Sequence, residues 1–522
     1  MSFLISAGCS SAQLFAQSKQ SARAAKLPSA EKILESYLKA IGGKKRVAQI
    51  NDAAYEWSIQ LRDRPLGNAR IQTKAPGSVR SELTFGNGKI ISAANTSSAW
   101  EQGLDARLRT LTGSEAAAAK LQALLEASHL VEYKKLNVLA RVISLSDVES
   151  EPAYVVEFST RSGARLRYWF TAKSHLLVKV EDEVRKTTAR FSDYRAAVAS
   201  LDVLQPHRMV LKAGAEDLTF VLQLARYNNG IPNSSFDPPS GTEALDVPAL
   251  LREVARNQDE VEKRVSEYAF VQKETDREIS DKGEIKKETV KVFEVFPVAH
   301  REPIMKLISE NGVALSGERA AKEEKRVQEE FLKIEQNRDK DEEKAARRKA
   351  ELQQKKARRA EKGEAEDPEL SQFLKVCEFV APRRERFHDR DAVVFDFRPR
   401  PGFKPSGLQE TLISKLVGVV WIDAADKQII RLDGRLAEGF KMGGGLVLSL
   451  RPGAAFSMEQ TRMAEGVWLP RLAQVSLSVK VLLFGGGDMN KTLEWSDYKH
   501  FSGDVGDYKL ETPKSDAPQK SP

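Results

Sequence analysis

Two distant stretches of this chain read as the same piece of β-structure written twice. Glu151-Pro-Ala-Tyr-Val-Val-Glu-Phe-Ser-Thr-Arg-Ser-Gly163 aligns without gaps on Arg390-Asp-Ala-Val-Val-Phe-Asp-Phe-Arg-Pro-Arg-Pro-Gly402. The match keeps Ala153 with Ala392, Val155 with Val394, the acids Glu157 and Asp396, Phe158 with Phe397, Arg161 with Arg400 and Gly163 with Gly402. Farther on, Trp169-Phe170 and Leu177-Val178-Lys179-Val180 correspond to Trp421-Ile422 and Ile429-Ile430-Arg431-Leu432, with a longer turn in the second copy. Leu204-Gln205-Pro206-His207-Arg208 is similar to Trp468-Leu469-Pro470-Arg471, and upstream Tyr55 and Trp57 match Tyr268 and Phe270. Correspondences in one order, each on a strand-like segment, indicate an internal duplication. A chain of 522 residues is also too long for one ordinary core, which agrees with two units.

The strands announce themselves by period-two alternation. In Tyr55–Arg62 every odd position is apolar and every even one polar, as in a half-buried strand. Pro65-Leu66-Gly67-Asn68 and Gly86-Asn87-Gly88 carry turn chemistry. A helix opens at Pro28-Ser29, shows Ile33, Leu34, Tyr37, Leu38 and Ile41 at helical spacing, and stops at Gly42-Gly43. A second helix is predicted over 114–128 with Ser114 as N-cap. Strands then run to about Tyr227, where the Pro/Ser/Asn-rich segment Ile231–Gly241 marks a boundary. The second unit begins with a helix near Val247-Pro248 that leads to a strand at Tyr268-Ala269-Phe270.

Residues 318–367 differ from the rest, with 16 Lys/Arg, 15 Asp/Glu and no Gly or Pro before Gly363. Helix propensity is high, but the apolar stripe is short, at Val327, Phe331 and Ile334. One end can dock, and the remainder is expected to stand in water on charge pairs, without the heptad seam of a coiled coil. The expected organisation is a truncated signal peptide (1–16), a loose segment (17–28), a first β unit (29–227), a linker (228–246), a second β unit (247–511) carrying the charged insertion 318–367, and a disordered tail (512–522). The fold class is α+β, mainly antiparallel β, with two half-open barrels each covered by helices.

This pattern resembles the outer-membrane lipoprotein-sorting family, the LolA/LolB-like carriers. The resemblance rests on the Ile33–Gly43 helix, the Gly88–Trp100 hairpin, the Trp169 hairpin and the Phe236-Asp237-Pro238-Pro239 ending. It covers about residues 29–239 directly and about 245–510 through the internal repeat. It implies that family's fold and a concave face able to shelter acyl chains, and it carries over no named ligand residue.

The residues carry no recognisable catalytic motif. The histidines (His129, His175, His207, His300, His388, His500) form no HExxH or comparable metal pair, and His388-Asp389 with Asp391 reads as a solvated turn. No GxSxG elbow is present, and Gly443-Gly444-Gly445 and Gly485-Gly486-Gly487 lack the Lys and Ser/Thr of a phosphate loop, so both read as hairpin connections. Cys377, among Phe373, Leu374 and Phe379, reads as a buried inert thiol. The basic run Lys344–Arg359 is interleaved with acids and lacks aromatics, which argues against nucleic acid. A net charge of +8 suits an anionic partner without specifying one. No metal or other cofactor is expected.

Phe3–Ala16 is apolar, and Leu14-Phe15-Ala16 before Gln17 is similar to the end of a secretory signal peptide. The basic region that should precede it is missing, so a later start than the natural one is expected. Ser6-Ala7-Gly8-Cys9 offers lipidation at Cys9 as the second choice. No other stretch is long and apolar enough to span a bilayer. The expectation is therefore an exported protein of the periplasm or cell envelope. Two readings stay open. In one, the chain is a non-catalytic carrier of a lipid or lipoprotein acyl chain, with a cavity lined by Tyr55, Trp57, Ile59, Tyr154, Val156, Phe158, Leu166, Tyr168 and Phe170 in the first unit and Phe395, Phe397, Val420 and Ile422 in the second. In the other, both barrels are filled and the charged helix contacts an envelope protein.

Overall fold

The computed structural model describes residues 27–500 apart from 198–200, 215, 242–244, 266, 281, 299–301, 362–367, 443–447, 465 and 482–484. The signal-peptide, loose-segment and tail expectations for 1–26 and 501–522, and the Gly443–Gly445 connection, lie outside them. The helices are α1 (Ala30–Ala40), α2 (Lys44–Val47), α3 (Gly113–Ala127), α4 (Val247–Val265), α5 (Gly317–Glu361), α6 (Pro368–Val376) and α7 (Leu408–Ile413).

The strands form two antiparallel sheets. The first contains β1 (Asp52–Leu61), β2 (Arg64–Lys74), β3 (Ser78–Phe85), β4 (Gly88–Ala94), β5 (Ala99–Gln102), β6 (Leu108–Thr110), β7 (Leu139–Val148), β8 (Glu151–Ser159), β9 (Arg165–Thr171), β10 (Leu177–Asp182), β11 (Thr187–Ala196), β12 (Leu204–Ala213) and β13 (Glu216–Tyr227). Its order is β6-β5-β4-β3-β2-β1-β13-β12-β11-β10-β9-β8-β7. The second contains β14 (Tyr268–Ile279), β15 (Ile285–Phe296), β16 (Ile304–Glu310), β17 (Val313–Ala314), β18 (Cys377–Phe387), β19 (Arg390–Pro399), β20 (Leu416–Asp423), β21 (Ile429–Leu436), β22 (Phe440–Met442), β23 (Leu448–Leu450), β24 (Ala455–Arg462), β25 (Trp468–Val481) and β26 (Gly485–His500). Its main path runs β17-β16-β15-β14-β26-β25-β24-β21-β20-β19-β18. In each sheet the first strand in the chain pairs with the last, and both sheets are open.

Local chemistry sets several boundaries. Ser29 caps α1 by accepting from Lys32 N, and Gly42 and Gly43 after it take positive φ. The first hairpin reverses at Arg62-Asp63, both with positive φ, while Pro65–Asn68, expected as a turn, lie inside β2. Two consecutive positive φ values match the right-handed twist of the flanking strands, which the sequence preference for Pro and Gly does not encode. The N-cap of α3 is Thr112 rather than Ser114, because the helix begins at Gly113, two residues before a Ser114 cap would start it. Gly485–Gly487 do not connect strands but pair in β26 with Val481–Val479, since a ladder needs only backbone groups.

Helices cover one face of each sheet. Ala30, Ile33 and Leu34 of α1 and Leu121 and Leu125 of α3 pack on Val156, Phe158, Tyr168 and Phe170. Val247, Leu251 and Val254 of α4 and Val376 of α6 pack on Phe395, Phe397, Val420 and Ile422. The charged helix α5 docks at its start, where Val327 with Phe331 and Ile334 meets Phe296, Val298 and Ile304. The segment between the two units is packed, with Phe236 fully buried and its carbonyl accepting from Trp100 Nε1 at 3.1 Å. Among the described residues no helix is long and apolar enough to cross a membrane.

The sheets are joined by a buried polar network where edge strands β6 and β18 meet. Arg383 donates to Glu385 (2.7 Å), Asp396 (3.1 Å) and Thr110 Oγ1 (2.6 Å). Thr110 donates to Glu385 through its N–H (2.7 Å) and its hydroxyl (2.6 Å), and Ser98 Oγ donates to Asp396 (2.5 Å). Elsewhere Arg161 pairs with Asp488, and Asn137 Nδ2 donates to Pro452 O at 3.0 Å.

Candidate functional site

The residues expected to line a cavity all lie in or against packed clusters. Tyr55, Trp57 and Ile59 join Leu38, Ile41, Phe220 and Leu222. Val156, Phe158, Leu166, Tyr168 and Phe170 sit under α1 and α3, with Tyr154 at the margin. The Phe158 ring meets Tyr133 and Tyr168 edge-on, at centroid distances of 6.0 and 5.0 Å. Phe395, Phe397, Val420 and Ile422 sit under α4 and α6. As expected, Tyr154, Val156 and Phe158 share one face, whereas Val155 clusters with Trp169 on the other.

A cavity of about 590 Å³ lies elsewhere, between the two sheets, and none of these residues lines it. Its roof comes from the first unit. Helix α3 is rich in alanine, the strongest helix former, and so reaches close to both neighbours. Its residues Ala117, Lys120, Leu121 and Leu124, at i, i+3, i+4 and i+7, form one stripe along the cavity. Pro76 and Ala164 extend this apolar wall.

The floor comes from the second sheet, and strand register explains its character. Directly opposed residues share a face of an antiparallel sheet. One row runs Asp433, Ser457, Gln474, Thr492 across β21, β24, β25 and β26, and the next runs Arg435, Ala455, Ser476, Asn490. All eight line the cavity. The row between them, Gly434, Phe456, Val475 and Lys491, also borders the cavity, while Leu432 belongs to the cluster under α4 and α6. The cavity therefore sets a helix stripe that is apolar apart from Lys120 against a mainly polar stretch of sheet.

Its charges do not balance. Arg431 is buried and paired with Glu459 (2.7 Å) and Asp433 (2.9 Å). Arg435 has no hydrogen-bond or ion-pair partner among the described residues, and its Nε is buried without one. Burial lowers the basicity of Arg435, which nevertheless stays protonated. Lys120 Nζ donates to Ser97 O at 2.7 Å and has no carboxylate in contact among the described residues. Burial and the nearby Arg435 push Lys120 down to about 8, against the pull of Asp433 and Asp396. Two cations thus line one sheltered space, neither in contact with a carboxylate among the described residues.

Among the described residues no group of three or more His, Cys, Asp or Glu side chains could hold a metal ion. Cys377 is fully buried, and burial pushes its thiol to about 12. His388 Nε2 lies 3.2 Å from Glu459 in an exposed turn. Sequence reasoning missed Lys120 and Arg435. The available signal was the pair of charges Asp433 and Arg435 on one face of a strand whose other face is apolar, together with Lys120 on an otherwise apolar helix.

No protein-family model matches the chain, and no curated protein matches it. Solved structures similar to it include a LolA superfamily protein from Nitrosomonas europaea, at 13% identity over 41% of this chain and 99% of that one, with a TM-score of 0.28. An outer membrane lipoprotein-sorting protein domain from Vibrio parahaemolyticus gives 14% identity over 40% and 97%, with a TM-score of 0.27. The MucA/MucB complex structure from Pseudomonas aeruginosa gives 8% identity over 88% and 93%, with a TM-score of 0.16. The lipoprotein-sorting resemblance read from the residues is thus met again among solved structures.

Proposed function

We propose that this chain is a non-catalytic binding protein of the cell envelope, a tandem of two half-open β units that holds an acyl-chain ligand in the cavity between them. The shared winding of the two sheets, each with its first strand beside its last and the remaining strands following in chain order on either side, supports the tandem reading, with α5 as an insertion in the second unit. The observation that carries the ligand reading is the cavity itself. Its volume falls within the range of roughly 300–1,000 Å³ typical of small-molecule sites, and its α3 wall is apolar. Burying each methylene of a chain along that wall contributes about 0.8 kcal/mol, so no catalytic group is needed. The residues on the concave faces are the core that positions α3 in this reading.

The test is mass spectrometry of organic extracts from protein purified without detergent, followed by titration with a fluorescent fatty acid. Co-purified lipid and saturable one-to-one binding support the reading. Clean extracts and no saturable binding leave the alternative, an envelope interaction protein. For that alternative the favouring observation is the 45-residue α5, whose described apolar contacts are those of Val327, Phe331 and Ile334.

A further inference from the structure

We propose that Lys120 and Arg435 form a head-group site, which takes the carboxylate or phosphate of an anionic amphiphile whose chain lies along α3. This rests on the reading of the cavity as an acyl-chain site and specifies the chemistry at one end of it.

The argument is one of charge accounting in a sheltered space. Arg431 is neutralised by Glu459 and Asp433, and Arg161 pairs with Asp488. Lys491 pairs with Glu274 and Arg277 with Glu288 at the rim. Lys120 and Arg435 remain, projecting from opposite walls, α3 and β21. Like charges held together away from water are costly, and a protein with a filled core at this junction would place an acid or an apolar side chain there. An anion between them removes the repulsion and supplies acceptors to the orphaned Arg435 Nε and to the spare Lys120 protons. The serine, glutamine and asparagine side chains of the floor flank Arg435, so hydroxyl or amide groups of a head can also be met.

The probes are dodecanoate, dodecyl phosphate, dodecan-1-ol and inorganic phosphate, titrated into the full chain by calorimetry. The account expects at least one of the two C12 anions to bind about tenfold or more tighter than the alcohol. Whichever anion binds tighter identifies the head as carboxylate or phosphate. Arg435→Met and Lys120→Met should each erase about tenfold of that preference, and Arg435→Lys should restore part of it. Equal binding of alcohol and anions by the unaltered chain overturns the head-group site and leaves the acyl-chain reading standing, with no dependence on how a variant folds. An anion preference that both Met variants retain overturns it as well. Arg435-dependent binding of inorganic phosphate without binding of any C12 compound keeps the anion site and overturns the acyl-chain reading. Binding of none of the four overturns both.

Discussion

Replacing Lys120 with methionine should stabilise the delipidated protein, and the gain should vanish as pH rises. The drop of the lysine from its ordinary 10.5 to about 8 corresponds to about 3 kcal/mol of cost for keeping it charged in place. Methionine fills a similar volume without the charge, but it forfeits the hydrogen bond to Ser97 O, worth about 1 kcal/mol. The net gain at pH 6 is then about 2 kcal/mol. The sign follows from linkage. Below pH 8 both folded and unfolded chains carry the proton, so the native chain bears the full cost. Between pH 8 and 10.5 the native lysine releases a proton that the unfolded chain keeps, so unaltered protein gains stability with pH. Above that window only the lost hydrogen bond remains, and the variant is the weaker by about 1 kcal/mol. Urea melts at pH 6, 8 and 10 measure the difference. A gain independent of pH, or a loss at pH 6, refutes the reasoning, because Lys120 would then be compensated within the protein. The groups that set its environment are Arg435, Arg431 and Asp433 on β21 and Asp396 on β19.

Three further outcomes separate the parts of the account. Phe158→Ala should cost about 3–5 kcal/mol in a denaturant melt, because its ring is fully buried between Tyr133 and Tyr168. Arg383→Met strips the guanidinium from two buried carboxylates, Glu385 and Asp396, and should lower stability by about 3–5 kcal/mol, again read from a melt. Val327→Ala should cost about 1–3 kcal/mol and speed limited proteolysis within α5, since this buried side chain anchors the helix on Phe296, Val298 and Ile304.

Much of the architecture was legible because strands repeat every two residues. Tyr154, Val156 and Phe158 separate from Val155 in the sequence as they do in the sheet, and the α5 stripe Val327, Phe331 and Ile334 docks as its spacing predicts. The cavity was not legible, for a physical reason. A polar face such as Ser476 with Gln474 reads as solvent-facing when one unit is considered alone, and it lines the cavity only because the first unit sits opposite. Register across four strands, which puts Arg435 in line with Ser476 and Asn490, is likewise a long-range property. The concave faces drew attention because Phe158 and Phe397 are large and apolar; whether helices cover such a face depends on loop paths that local periodicity does not record.

The central claim is that ligand occupies the space between the sheets, and cross-linking with a photoreactive fatty acid tests it most directly. After irradiation and peptide mass spectrometry, the account predicts label on α3 around Ala117–Leu124 and on the second sheet around Asp433–Leu436. Label confined to the strands that carry Phe158 and Phe397, with none on α3 or β21, would contradict it.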